Sequence, residues 1–130
     1  MPESLLKGRR ILIVEDEYFL ADELQIMLED EGAETLGPVA SVEAGLRILS
    51  AGQVPDAASL DINLCGGTVY PLADALIARG VPFVFTTGYN QAAIPAAYAH
   101  IRRLEKPVEP EMVLKELAIL LRSTTGYPVD

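Results

Sequence analysis

The chain has 130 residues, half of them hydrophobic and 22% charged, a balance that suits one folded domain with its own core. A formal charge of −9 counts against direct nucleic-acid binding, because a phosphate backbone needs Lys and Arg, and is compatible with a cation site or a basic protein partner. The lone Cys65 excludes an internal disulfide framework and a Cys-rich zinc site, no apolar run is long enough to cross a bilayer, and MPESLLKGRR has no signal-peptide core, so a cytoplasmic protein is expected.

Residues 1–8 and 123–130 read as short tails around one domain at 9–122. Ile11 to Val14 is a continuous aliphatic run, the mark of a strand covered on both faces. It leads straight into three acids, Glu15, Asp16 and Glu17. Glu17 to Glu31 places Leu20, Leu24, Met27 and Leu28 on one helical face, and Gly32 suits the helix stop. Glu34 to Val39 predicts a second strand. Ser41 caps a helix that turns Val42, Leu46 and Leu49 inward and ends at Gly52. Ala57 to Ile62 is a third strand, broken by Cys65-Gly66-Gly67, whose glycines predict a mobile loop. Pro71 suits the first turn of a short helix that stops at Gly80. Pro82 to Thr87 is a fourth strand, Ile94 to Ala99 an Ala-rich helix, and Ile101 to Glu105 a fifth strand interrupted by Arg102 and Arg103. Glu109 to Arg122 is the final helix.

Five alternations of strand and helix predict an α/β fold: a five-stranded parallel sheet, order 2-1-3-4-5, with helices on both faces. Ligands of such sheets bind beyond the C-terminal strand ends, where strand order reverses, here between the first and third strands. That rim gathers Glu15 and Asp16, Asp61 and Asn63, Thr86 and Thr87, and Lys106 followed by Pro107.

Clustered carboxylates raise one another's pKa unless a cation neutralises them. Mg²⁺ suits the set, since it takes oxygen ligands, keeps several waters and works with phosphate groups. Asp16 and Asp61 are placed to ligate it, and Glu15 to hold a metal-bound water. A lysine and a threonine hydroxyl are the groups expected around a phosphoryl oxygen. A carboxylate can itself be the nucleophile, giving an acyl phosphate. The arrangement reads as phosphoryl transfer onto an aspartate.

From about Arg10 to Arg122 the sequence resembles the receiver domain of two-component response regulators, with its flavodoxin-like fold. The resemblance rests on Glu15-Asp16 after the first strand, LDINL around Asp61, a Thr ending the fourth strand, and Lys106-Pro107 after the fifth. It implies Asp61 as phosphoacceptor from a sensor histidine kinase or phosphotransfer protein, and Asp16 as Mg²⁺ ligand with Glu15 as its outer partner. It also implies the backbone carbonyl of Asn63 as a further ligand, Thr87 and Lys106 on the phosphoryl oxygens, and a cis Lys106–Pro107 bond. PFVFTTGY is similar to the Phe-Ala-Thr-Gly-Tyr subgroup of single-domain receivers, with Thr86 in place of the Ala, which makes Thr87 the switch hydroxyl and Thr86 structural. The family's usual partner or dimer surface is the fourth helix, fifth strand and fifth helix. The last helix, apolar beyond one stripe, fits such a homodimer or a downstream protein target.

The sequence departs from the family in two places. Arg103 stands where most receivers carry a switch aromatic, leaving Tyr89 or Tyr98 as substitutes. Cys65 stands where many have Pro. Glu17 reads as a helix N-terminal acid favoured by the macrodipole, Cys65 as a passive thiol, His100 as solvent-facing and Arg102-Arg103 as an exposed edge. The expected protein is a single-domain switch rather than an enzyme, with no output domain. Its rivals are a degenerate receiver that binds partners without phosphate, and a small Mg²⁺-dependent phosphatase of the haloacid-dehalogenase type. The phosphatase needs a second acid where this chain has Asn63. A flavodoxin-like electron carrier fits the topology but lacks a hydroxyl- and Gly-rich loop after the first strand.

Overall fold

The computed structural model describes residues 5–64, 67–88 and 94–124. In chain order its strands are β1 (Arg10–Val14), β2 (Glu34–Val39), β3 (Ala57–Asp61), β4 (Asn63–Leu64), β5 (Gly67–Thr68), β6 (Phe83–Thr87) and β7 (Arg103–Glu105). The helices are α1 (Tyr18–Asp30), α2 (Val42–Ser50), α3 (Tyr70–Ala78) and α4 (Pro110–Thr124). β2-β1-β3-β6-β7 form one parallel sheet, which is the expected 2-1-3-4-5 order among the five long-range strands. No described helix is long and apolar enough to cross a membrane.

Alternation along the strands builds two cores, one on each face of the sheet. Leu12, Val14, Ala58, Leu60, Phe83 and Phe85 face α2 and α3, and meet Leu49, Leu72 and Leu76. Ile11, Ile13, Ala57, Val84 and Leu104 face α1 and α4, and meet Leu24, Leu28, Leu117 and Leu121. β1 is apolar at every position after Arg10 because both of its faces are covered. Each fully buried Leu or Ile contributes roughly 1.5–3 kcal/mol by leaving water.

The helix stops follow the sequence. The N–H of Ala33 bonds to Leu28 O and that of Gly32 to Glu29 O, closing α1 with Gly32 at φ +88°. α2 and α3 end the same way, at Gly52 and Gly80. Ser41 Oγ accepts the Ala44 N–H at 3.1 Å, so the expected cap is in place. Gly37 permits a break in the β1–β2 ladder. The register shifts between Leu12 and Val14, opposite a Gly37–Pro38 cis bond, and a Cβ on Gly37 would lie 2.8 Å from Val39 N.

Four expectations change. Ile94 to Ala99 is not an α-helix: a 3₁₀ turn at Ala96–Tyr98 follows Pro95, and Tyr98 alone in that turn is buried. Without an amphipathic stripe the Ala-rich segment has no face to bury. The fifth sheet strand begins at Arg103 rather than Ile101; Leu104 points inward while Arg103 and Glu105 stay exposed. Beyond β3, Asn63 pairs with Thr68 and Leu64 with Gly67 as a small antiparallel hairpin, where only a break was expected. Cys65 and Gly66 lie outside the described residues, as does Tyr89. Leu6, placed in the leading tail, is 2% exposed and packs with Leu5 on the α1/α4 core. The Lys106–Pro107 bond is cis, as expected, and His100 faces solvent.

Candidate functional site

β1 and β3 end side by side where the strand order reverses; β3 ends in Asp61, and Glu15 directly follows β1. The Glu15 N–H donates to Val39 O at 2.9 Å, continuing the ladder past the end of β1 and anchoring that residue at the rim. Asp61 closes β3, the strand between β1 and β6, and pairs with Thr86 of β6. Both carboxylates are buried, Glu15 and Asp61 each 4% exposed, whereas Asp16 is exposed. One oxygen from each of Glu15, Asp16 and Asp61 lies within 4.8 Å of the others. Hard divalent cations take such an all-oxygen set.

Lys106 reaches into this cluster from the end of β7. Its own N–H donates to Thr87 O at 2.7 Å, fixing the backbone across the sheet edge. Nζ then donates to Glu15 Oε2 at 2.7 Å, Glu17 Oε2 at 3.0 Å and Asp61 Oδ2 at 3.1 Å. The second Asp61 oxygen, Oδ1, accepts the Asn63 N–H at 3.1 Å. Burial and the neighbouring Glu15 carboxylate push the Asp61 carboxyl up from 3.8 to about 8, with Lys106 pulling the other way. Burial by itself lowers an ammonium, but the hydrogen bonds to Glu15 and Glu17 and the charges of Glu15 and Asp61 more than reverse it. Lys106 is therefore held above the usual lysine value.

Of the residues predicted from sequence, Glu15, Asp16, Asp61 and Lys106 come together here. Asn63 joins through its backbone N–H, with its side chain exposed. Thr87 ends β6, 5% exposed, and holds Lys106 through its carbonyl.

Two residues exceed the roles read for them. Thr86, read as structural, stands in register with Asp61, so the two side chains share a face. Its hydroxyl lies 3.5 Å from Glu15 Oε1, a long contact from a residue with no exposed surface. Glu17, read as a macrodipole acid, binds Lys106. The chain is still extended at Glu17 (φ −81°, ψ 109°), with α1 starting only at Tyr18. A bend at Asp16, closed by the Glu17 N–H on Glu15 Oε2 at 3.0 Å, brings Glu17 back beside Glu15.

The aromatic substitutes considered for Arg103 resolve in part. Arg103 is exposed on β7, while Tyr98 stacks on Tyr70 with ring centres 4.7 Å apart. Tyr98 Oη donates to Asp74 Oδ1 at 2.6 Å.

No family model matches the chain. Among solved structures, SdrG from Sphingomonas melonis Fr1 is 40% identical with a TM-score of 0.74, covering 88% of this chain and 97% of that one. A CheY-like response regulator receiver domain protein from Methanospirillum hungatei JF-1 is 25% identical with a TM-score of 0.78, covering 92% and 98%. A sensory transduction protein, LytT of Bacillus cereus, is 31% identical over 112 residues, which are 83% of this chain and 45% of that protein. The chain spans about half the length of the curated relatives it matches. With this likeness over most of its length, the chain belongs to the receiver-domain family of response regulators.

Proposed function

We propose that this receiver accepts a phosphoryl group onto Asp61, with Mg²⁺ bound, from the phosphohistidine of a sensor histidine kinase or a phosphotransfer protein. It relays the signal to a downstream protein by conformational change or by onward phosphotransfer. The observation that carries the reading is the placement of buried Asp61: one oxygen against Lys106 Nζ, its carboxylate within reach of Glu15 and Asp16. That donor set fits Mg²⁺, with Asp16, Asp61 and the Asn63 carbonyl as ligands and Glu15 as an outer partner. When bound, the ion supplies positive charge to the oxygens of the transferring group.

In the transfer, an Asp61 carboxylate oxygen attacks phosphorus. The new P–O bond forms as the P–N bond to imidazole breaks, and the leaving nitrogen keeps the electron pair and takes a proton. The Asn63 N–H holds the other end of the carboxylate in place. Lys106 then binds the new anionic oxygens together with a hydroxyl at the end of β6; the family resemblance implies Thr87, while Thr86 stands in register with Asp61. The chain acts as a switch that catalyses its own phosphorylation and dephosphorylation, rather than as an enzyme on other substrates. We place it in the cytoplasm, with no direct nucleic-acid or membrane contact. The 3₁₀ turn, β7 and α4 form its partner or homodimer face, where Met112 and Ile119 lie exposed on α4.

Incubation with Mg²⁺ and acetyl phosphate should give one acid-stable, base-labile phosphoryl group per chain, and Asp61→Asn should abolish it. Labelling that survives this substitution overturns the reading, as does a chain that cannot be labelled, which would instead favour a degenerate receiver.

A further inference from the structure

The three carboxylates around Lys106 Nζ are not equivalent. Glu15 and Asp61 are buried, with side chains 2% and 5% exposed, while the Glu17 side chain is 60% exposed. The two buried acids are tied to the backbone. Glu15 Oε2 also accepts the Glu17 N–H at 3.0 Å, and Asp61 Oδ1 accepts the Asn63 N–H at 3.1 Å. Glu17 contributes that N–H to the local turn, but its carboxylate makes no cap bond to α1. Its carboxylate pairs with Lys106 Nζ at 3.0 Å.

From this asymmetry we infer that Glu17 is a positioning residue, which sets how firmly Lys106 is drawn onto a phosphoryl group at Asp61 by competing for the same ammonium. The inference rests on Asp61 being the phosphoacceptor. A lysine ammonium has three N–H donors, and three carboxylates surround this one. A phosphoryl group on Asp61 replaces a single carboxylate charge with a group of about two negative charges. At least one donor must then turn toward it. Glu15 is buried and would be left as an unpaired buried charge if abandoned, so its bond is the costly one to break. The exposed Glu17 pair is the weak one, and it is the pair that yields. Until it yields, Glu17 draws Nζ toward solvent, and this pull on the ammonium opposes the phosphoryl-bound arrangement.

Glu17→Gln keeps the backbone N–H and nearly the same shape but removes the charge. With Mg²⁺ present it should bind beryllofluoride about two- to fivefold more tightly than the parent, the bias of an exposed ion pair. It should also hold the Asp61 phosphoryl group correspondingly longer. The difference should shrink as salt rises, because the pair lies in solvent. In a Lys106→Ala background the Glu17→Gln effect should vanish, an outcome that a purely structural role for Glu17 would not produce. In the unphosphorylated chain, Glu17→Gln should shift the Lys106 Nζ resonance, which reads the contact without any phosphate. If the parent binds no beryllofluoride, the phosphoacceptor reading falls and the inference with it. If the parent binds but Glu17→Gln matches it, or keeps its effect without Lys106, the role of Glu17 alone is overturned.

Discussion

Lys106 sets the electrostatics of the site because one ammonium faces three carboxylates. Glu15 and Asp61 tolerate burial side by side only with that charge between them. Lys106→Ala should therefore destabilise the chain by about 3 kcal/mol, the usual cost of stripping one partner from a buried pair. Saturating Mg²⁺ should recover more stability in the variant than in the parent, since it restores positive charge to the same oxygens; urea melts with and without Mg²⁺ check both. The meeting of Asp61, Asp16 and Lys106 at one sheet edge was legible in sequence: the two acids stand at the ends of strong strand patterns, and Lys106 is marked by the following Pro107 after a weaker one. Glu17 was not legible in the same way. Its role depends on α1 beginning one residue later than the acid run suggests, and element boundaries are the least certain part of a sequence reading. Thr86 and Thr87 differ in which way a strand residue points, and the sequence does not carry the register that sets Thr86 opposite Asp61.

At the level of elements, two joints carry specific residues. The β1–β2 edge needs Gly37: at φ +88° an added Cβ is strained, and it would meet Val39 N at 2.8 Å and Ile13 O at 3.0 Å. Gly37→Ala should cost more than about 2 kcal/mol, read as a lower urea midpoint at unchanged slope. The second joint ties the 3₁₀ turn to α3 through Tyr98 and Asp74. The hydrogen bond to Asp74, with burial, pushes the Tyr98 hydroxyl up from 10.0 to about 12. The folded chain thus holds that proton more tightly than the unfolded one, giving stability that is fully present below pH 10 and is lost as pH rises through about 12. Ultraviolet titration should show Tyr98 ionising late, and Asp74→Asn should return it toward the ordinary range. Sequence periodicity identified α1, α2 and α4 because each carries an apolar stripe. It misassigned the 3₁₀ turn because local Ala content favours helix while the segment offers only Ile94 and Tyr98 to the core.

Across the whole molecule, the net charge of −9 concentrates cations near the acid cluster and screens with salt. Saturating Mg²⁺ should raise the melting temperature, by about 2.7 kcal/mol of stability at a hundredfold excess over Kd. Asp16→Asn should remove most of that gain while leaving the metal-free melt near the parent, because Asp16 is exposed. The gain should fall at higher ionic strength, which thermal melts in two salt concentrations will show.

The sheet also divides the molecule optically. Tyr70, Phe83, Phe85 and Tyr98 all lie in the layer under α2 and α3, and the described core beneath α1 and α4 contains no aromatic ring. With no tryptophan in the chain and Tyr18 exposed on α1, the near-ultraviolet circular dichroism of the buried rings reports chiefly on one side of the sheet. A loosening confined to the α1/α4 core would leave those rings in place, and isotope-labelled leucine methyls are the natural probe for that dark half.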